Sequence, residues 1–143
     1  MTYDNGILPL ALLHSFEITG NIKVKEAGLN SLEFLKESTM QNHYLVPVGN
    51  NGWGSKEADT IAAFDQQAID AMAMVLMFEQ AFAVTNERRF LNDMNTCFQW
   101  FMGYNELHIP LYDTETHGCS DGLHFNSINR NQGAESTLAY LIA

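Results

Sequence analysis

The sequence predicts an all-α protein built from repeated αα-hairpins that form part of an α/α toroid. Three observations favour this fold: five segments with helical periodicity, an alternation of fully apolar with amphipathic segments, and an internal repeat of 66 residues. Two long polar loops follow the hairpins, and both should lie at one end of the stack. The 143 residues suit a single domain, which we expect to belong to a larger toroid.

The predicted helices are of two kinds. The segments at 7–17 and 66–84 are apolar almost all round, which is typical of helices buried on most sides. The segments at 23–38 and 87–104 carry apolar residues mainly along one face, which is typical of helices that face solvent on the other. A fifth, apolar helix begins near residue 132 and runs to the last residue. Inner helices therefore alternate with outer ones.

The repeat relates successive hairpins residue by residue. Phe16 recurs as Phe82 after 66 residues, and a further step of 66 takes Gln66 to Gln132. Helix pairs in this order pack as antiparallel hairpins and stack into solenoids or closed rings. The third copy stops inside its inner helix. We expect either that the chain is a fragment of a longer protein, which we favour, or that another chain completes the ring.

Composition excludes several classes of function. The formal net charge of −10 argues against binding to nucleic acids and to anionic membrane surfaces. The longest apolar run, around 71–78, is too short to span a bilayer, and no basic-then-apolar leader opens the chain. A cytoplasmic location is therefore expected. The two cysteines give no disulfide framework, and Cys97 is predicted to be a buried thiol in a helix.

The connections at 41–64 and 105–131 are longer than usual for helix pairs, which indicates a functional role. In the first, Asn50 and Asn51 supply amide donors and acceptors for hydroxyl groups. Trp53 offers an apolar face for a sugar ring. The alternative interpretation is a glycine-rich turn in which Trp53 fills the core.

Carboxyl and amide groups also stand where the inner helices begin. Asp65 is well placed as an N-cap, and Gln66 and Gln67 follow in the first turn, where a cap alone does not require them. By the repeat, Glu135 in the first turn of the last helix faces the same rim as Asp65. A carboxylate pair is what glycoside cleavage requires. The alternative is that both groups serve as caps within a hydrogen-bonded loop scaffold.

The second loop and the start of the last helix supply further candidate ligands for hydroxyl groups: Tyr112, Asp121, His124, Asn129, Arg130 and Asn131. His117, Cys119 and His124 suggest zinc, but their spacing matches no standard pattern, and the acidic residues do not follow the EF-hand spacing. No metal and no other cofactor is predicted. No nucleophile elbow, P-loop or dinucleotide fingerprint is present in the sequence.

Five segments resemble the C-terminal helical region of bacterial proteins classed as glycosyltransferases: 49–53, 64–67, 110–113, 118–124 and 129–138. The last is the most specific, and the resemblance covers about residues 25–143. It implies a saccharide ligand and association with a catalytic domain that uses nucleotide sugars. No such domain lies within these residues. The helix-pair layout is also similar, at the level of fold only, to the six-hairpin glycosidase superfamily.

We therefore expect a carbohydrate-active module that either only binds a saccharide or also transfers or hydrolyses a glycosyl group, with Asp65 and Glu135 as the candidate catalytic residues. The alternative is a non-catalytic helical interaction module that completes a toroid, either as a homo-oligomer or with a glycosyltransferase catalytic domain. A third hypothesis is a metal-dependent hydrolase centred on His117, Cys119 and His124.

Overall fold

The computed structural model describes residues 1–40, 43–55 and 60–143. Within these ranges the chain is mostly helical, as predicted, with five helices: α1 (Ile7–Thr19), α2 (Ile22–Thr39), α3 (Ala68–Thr85), α4 (Arg89–Gln99) and α5 (Ala134–Ile142). Five strands of two residues each were not predicted: β1 (Gly54–Ser55), β2 (Thr60–Ile61), β3 (Gln66–Gln67), β4 (Gly122–Leu123) and β5 (Ile128–Asn129). The fold is therefore helical with a small β component in its loops.

The strands form two small antiparallel sheets. Strand β1 pairs with β2, and β3, β4 and β5 form a second sheet in that order. In the second sheet Gln66 lies opposite Leu123, and Gly122 lies opposite Asn129. This sheet joins the segment before α3 to the loop before α5. It also moves the start of α3 to Ala68, two residues later than predicted.

The inner helices α1 and α3 run in the same direction. At their starts, the Asp4 backbone N–H donates to Asp70 Oδ1 at 2.7 Å. At their ends, Gln80 Nε2 donates to Glu17 Oε2 at 3.1 Å. Helix α3 also packs against α4 and α5. The starts of α1 and α3 therefore lie at one rim of the helix stack.

The two hairpin turns end their first helices in the same way. Gly20 and Asn86 adopt left-handed backbone conformations, with φ of 67° and 59°. Their N–H groups donate to the carbonyl oxygens of Phe16 and Phe82, both at 2.7 Å. Gly and Asn are the residues that tolerate this conformation best. The ends of α1 and α3 are 66 residues apart, and so are the starts of α3 and α5.

Helix α3 and the aromatic residues around it form the core. Phe78, Phe90, Trp100 and Phe101 are fully buried, and full burial of a large apolar side chain stabilises by roughly 1.5–3 kcal/mol. Cys97 is fully buried as predicted. Helix α4 ends earlier than predicted, at Gln99, and the chain continues in tighter turns such as the bond from the Trp100 N–H to the Cys97 carbonyl.

Helix α1 differs from the prediction because one of its faces is open. Leu8 and Ile18 are 70% and 85% exposed, although Pro9 and Leu13 are buried. The reason is that α1 packs against α2 and α3, and no other described helix covers its remaining side.

Helix α3 is long and apolar enough to cross a membrane, by length and composition only. Half of it is buried inside the protein, and the core helix of a soluble protein meets the same criteria. This property is therefore a weak indication of a membrane span.

Candidate functional site

A cavity of about 310 Å³ opens where α3 and α5 begin. Eight of the predicted site residues line it: Asn50, Asp65, Gln66, Gln67, Asp121, His124, Asn129 and Glu135. They come from the first loop, from the strands β3 and β5, from the second loop and from the first turn of α5. Residues far apart in the chain thus meet at one rim, as the repeat predicts.

The sheet of β3, β4 and β5 holds these segments together. Gly122 lies so close to β3 that a Cβ atom there would overlap the backbone carbonyl oxygen of Gln66. Only glycine allows this approach. The second loop therefore reaches the start of α3, and His124, just after β4, comes within reach of the residues that precede α3.

Asp65 is not the N-cap of α3, contrary to the prediction. That position is taken by Gln67, whose side chain makes no capping bond. Instead, Asp65 Oδ1 pairs with His124 Nδ1 at 3.1 Å. The backbone is held as well, because the Asn50 N–H donates to the Asp65 carbonyl oxygen at 3.0 Å. The peptide bond between Phe64 and Asp65 is cis.

Gln66 supports the wall of the cavity. It is fully buried, and its Oε1 accepts a hydrogen bond from Trp100 Nε1 at 2.9 Å. Its Nε2 donates to the Ala63 carbonyl oxygen at 2.9 Å and to Glu106 Oε2 at 3.3 Å. Because its amide is already bonded within the protein, Gln66 has little capacity left for a ligand.

Asp121 caps α5 from a distant loop. Its Oδ1 accepts bonds from the Gly133 N–H at 2.9 Å and from Ser136 Oγ at 2.7 Å, and its Oδ2 accepts one from Asn131 Nδ2 at 2.6 Å. Gly133 is the N-cap residue and has no side chain of its own to do this. Burial acts to raise the pKa of Asp121, but the three hydrogen bonds outweigh it and lower the pKa.

Glu135 presents an exposed carboxylate in the first turn of α5. Within the described part of the chain it forms no hydrogen bond or ion pair. Its charge acts on the N-terminal segment: burial first, and Glu135 second, raise the pKa values of Tyr3 and Asp4. The charge of Glu135, which lines the cavity, therefore also acts on ionisable groups in the segment before α1.

Five predicted residues do not line the cavity: Asn51, Trp53, Tyr112, Arg130 and Asn131. The Trp53 N–H bonds to the Gly49 carbonyl in a tight turn, and Trp53 is 37% exposed, so it does not fill the core either. Tyr112 instead stacks on Tyr140 of α5, with ring centroids 4.4 Å apart. Asn51 and Arg130 are exposed, and Asn131 donates to Asp121.

The metal hypothesis has no geometric support in the described residues, where no group of three or more His, Cys, Asp or Glu side chains could hold an ion. His117 Nδ1 lies 3.1 Å from Tyr112 Oη, and His124 pairs with Asp65. Cys119 is buried, and burial raises the pKa of its thiol to about 12. His117 and His124 therefore have separate partners, and the Cys119 thiol favours its protonated form.

The sequence analysis did not single out two buried polar residues, Ser136 and Asp70. Ser136 is buried and lines the cavity, and its Oγ donates a hydrogen bond to Asp121 Oδ1. Asp70 is only 6% exposed, and burial raises its pKa to about 7, although the bond from the Asp4 N–H acts to lower it. A carboxylate inside an otherwise apolar helix was the signal that could have found Asp70.

The sequence matches no protein-family model and has no significant match among curated proteins.

Proposed function

We propose that the chain is a carbohydrate-active module and that it forms part of an α/α toroid. The observation that carries this proposal is the cavity itself, where amide and carboxyl side chains from separate loops meet at the common start of α3 and α5. Its volume of about 310 Å³ lies at the lower end of the range for small-ligand sites, roughly 300–1,000 Å³.

The amides give the cavity its capacity for hydroxyl groups. The side chains of Asn50 and Gln67 line it and form no hydrogen bond with another described residue. Each offers one acceptor oxygen and two donor hydrogens. Asn129 adds a third amide, which also accepts a bond from the Asn131 N–H at 3.2 Å. A sugar bears hydroxyl groups that donate and accept in the same pattern.

The carboxylates supply the chemistry of glycosyl transfer or hydrolysis. One carboxyl group must protonate the leaving oxygen, and a second must act as base or nucleophile. Asp65 and Glu135 are the proposed pair because both border the cavity. His124 positions the Asp65 carboxylate through its Nδ1, whereas Glu135 is uncommitted within the described residues.

The first experiment screens mono- and oligosaccharides for thermal stabilisation and for cleavage, and then repeats the positive reactions with Glu135→Gln. We expect turnover to fall by roughly 10²–10⁴-fold, because a general acid or base is lost, while the melting temperature changes little at this exposed site. The matched control is Glu79→Gln, an exposed position on α3 that does not line the cavity.

Turnover that survives Glu135→Gln rejects the catalytic assignment. If Asn50→Ala and Gln67→Ala then still abolish binding, the module binds saccharides without cleaving them. If no saccharide in the screen binds the wild-type protein, the carbohydrate proposal itself is rejected.

A second candidate is a scaffold that completes a toroid with another chain, either a second copy or a glycosyltransferase catalytic domain. It is favoured by exposed apolar side chains on the first and last of the three described inner helices. These side chains are Leu8 and Ile18 on α1, and Leu138 and Leu141 on α5. Exposed apolar faces of this kind are typical of interaction surfaces. Light scattering at micromolar concentration tests it, and a strictly monomeric species counts against self-assembly.

A further inference from the structure

The ionisable groups around the cavity are strongly biased to one sign. Among the described residues that line it, three are carboxylates and one is an imidazole: Asp65, Asp121, Glu135 and His124. None of those lining residues is Lys or Arg. Arg130 belongs to the same loop but is exposed and does not line the cavity. Within the described lining, the acidic groups therefore outnumber the basic ones.

The three carboxylates differ in how far their charge is already compensated. Asp121 accepts three hydrogen bonds from uncharged donors. These bonds favour its ionised form but bring no positive charge to cancel it. Asp65 has the His124 imidazole as its partner. Glu135 has no partner among the described residues, so its charge is the least compensated of the three.

The adjoining N-terminal segment does not neutralise Glu135. Asp4 and Tyr3 are close enough for the charge of Glu135 to raise their pKa values, after the effect of burial. Asp70, next along this rim, is a further carboxyl group and accepts a bond from the Asp4 N–H at 2.7 Å. None of Tyr3, Asp4 and Asp70 therefore supplies a cationic side chain that could pair with Glu135.

We propose that the cavity selects saccharides that carry a free amino group over neutral saccharides, and that it rejects acidic ones. This inference rests on the proposed function and names the class of sugar that the same cavity takes. An ammonium group can form an ion pair with the Glu135 carboxylate, whereas a hydroxyl group can only donate a hydrogen bond to it and brings no opposite charge. A uronate or a phosphate would place a like charge beside three carboxylates, which is a repulsive element against that class of ligand.

The experiment compares sugars of nearly equal shape. Glucosamine, glucose and glucuronate form one set, and deacetylated chito-oligomers and cello-oligomers of equal length form a second. Affinities are measured by titration followed by NMR, at a pH where the amines are protonated. We expect the amino sugar of each pair to bind roughly two- to fivefold more tightly than the neutral one, the size expected of one exposed ion pair, and glucuronate to bind most weakly.

Two controls assign the preference to charge. Glu135→Gln should bring the amino and neutral sugars to similar affinity, whereas Glu79→Gln, which removes the same charge far from the cavity, should leave the preference intact. Raising the salt concentration should weaken the preference in the wild-type protein, because exposed charges are screened.

The outcomes separate this inference from the proposed function. Equal affinity for amino and neutral sugars, or binding of glucuronate as tight as that of glucosamine, overturns the amino-sugar preference and leaves the saccharide function standing. Failure of all these sugars to bind rejects both together.

Discussion

The starts of α3 and α5 occupy equivalent places in the repeat, yet they are built differently. Both helices follow an N-cap residue with extended backbone and no capping side chain, Gln67 in one case and Gly133 in the other. The start of α5 is capped by the ionised Asp121, whereas α3 buries Asp70 in its first turn. The repeat therefore sets where the two helices begin, while the residues around each start determine whether its aspartate is ionised, as Asp121 is, or has a raised pKa, as Asp70 has.

The largest expected effect comes from breaking the join between these two regions. Gly122→Ala places a methyl group on the Gln66 carbonyl oxygen, so β3 and β4 must separate. We expect a loss of about 3 kcal/mol in the free energy of unfolding, measured by urea denaturation, together with loss of saccharide binding.

The control for that change is Gly54→Ala, where an added Cβ meets only ordinary contacts, the nearest at 3.4 Å. Equal stability of the Gly122→Ala and wild-type proteins would contradict the close packing of β4 on β3.

Removal of the distant cap should have the next largest effect. Asp121→Ala leaves the Gly133 N–H and the Ser136 hydroxyl without their acceptor, and Ser136 is buried. We expect a loss of about 2 kcal/mol in the free energy of unfolding, the upper end for a helix cap. Asn131→Ala, which removes one exposed partner of the same carboxylate, should cost less than half as much.

Opposite pH dependences should distinguish the two aspartates. The folded pKa of Asp121 lies below its unfolded value, so its contribution is present above the unfolded pKa and is lost as the pH falls through the folded pKa. The folded pKa of Asp70, about 7, lies above the model-compound value of 3.8. Its contribution is therefore fully present below 3.8 and is lost as the pH rises to about 7.

The test is Asp70→Asn, whose amide oxygen can still accept the Asp4 N–H. We expect this variant to gain stability relative to the wild-type protein as the pH rises from 4 to 7, by a few kcal/mol at most, since a tenfold change in proton affinity corresponds to about 1.4 kcal/mol. Thermal unfolding between pH 4 and 8 measures the difference. A constant difference across that range would show that Asp70 titrates alike in the folded and unfolded chains.

The helices could be predicted because their signals are local. Runs of apolar residues marked α1, α3 and α5, a one-sided apolar pattern marked α2 and α4, and the Phe16–Gly20 and Phe82–Asn86 turns repeat visibly in the sequence. The three-stranded sheet could not be predicted, because strands of two residues are too short to show alternation.

The convergence of residues at the cavity could be predicted where the repeat applies, and it could not be predicted where pairing between distant segments decides the structure. Asp65 and Glu135 were placed together because both flank helix starts, and they do border one cavity. The cap formed by Asp121 spans twelve residues to Gly133, and no local pattern marks it. Trp53 lies in a turn where its φ is 57°, and it does not line the cavity.

We propose that separate loops form one saccharide site at the rim where α3 and α5 begin. The most direct measurement follows the backbone amide resonances of Asn50, Gln67 and Asn129 while a binding saccharide is titrated into isotope-labelled protein. We expect all three resonances to shift with one dissociation constant, and the resonance of Gly20, at the opposite end of the hairpin, to stay unchanged. Shifts confined to one segment, or with different dissociation constants, would contradict it.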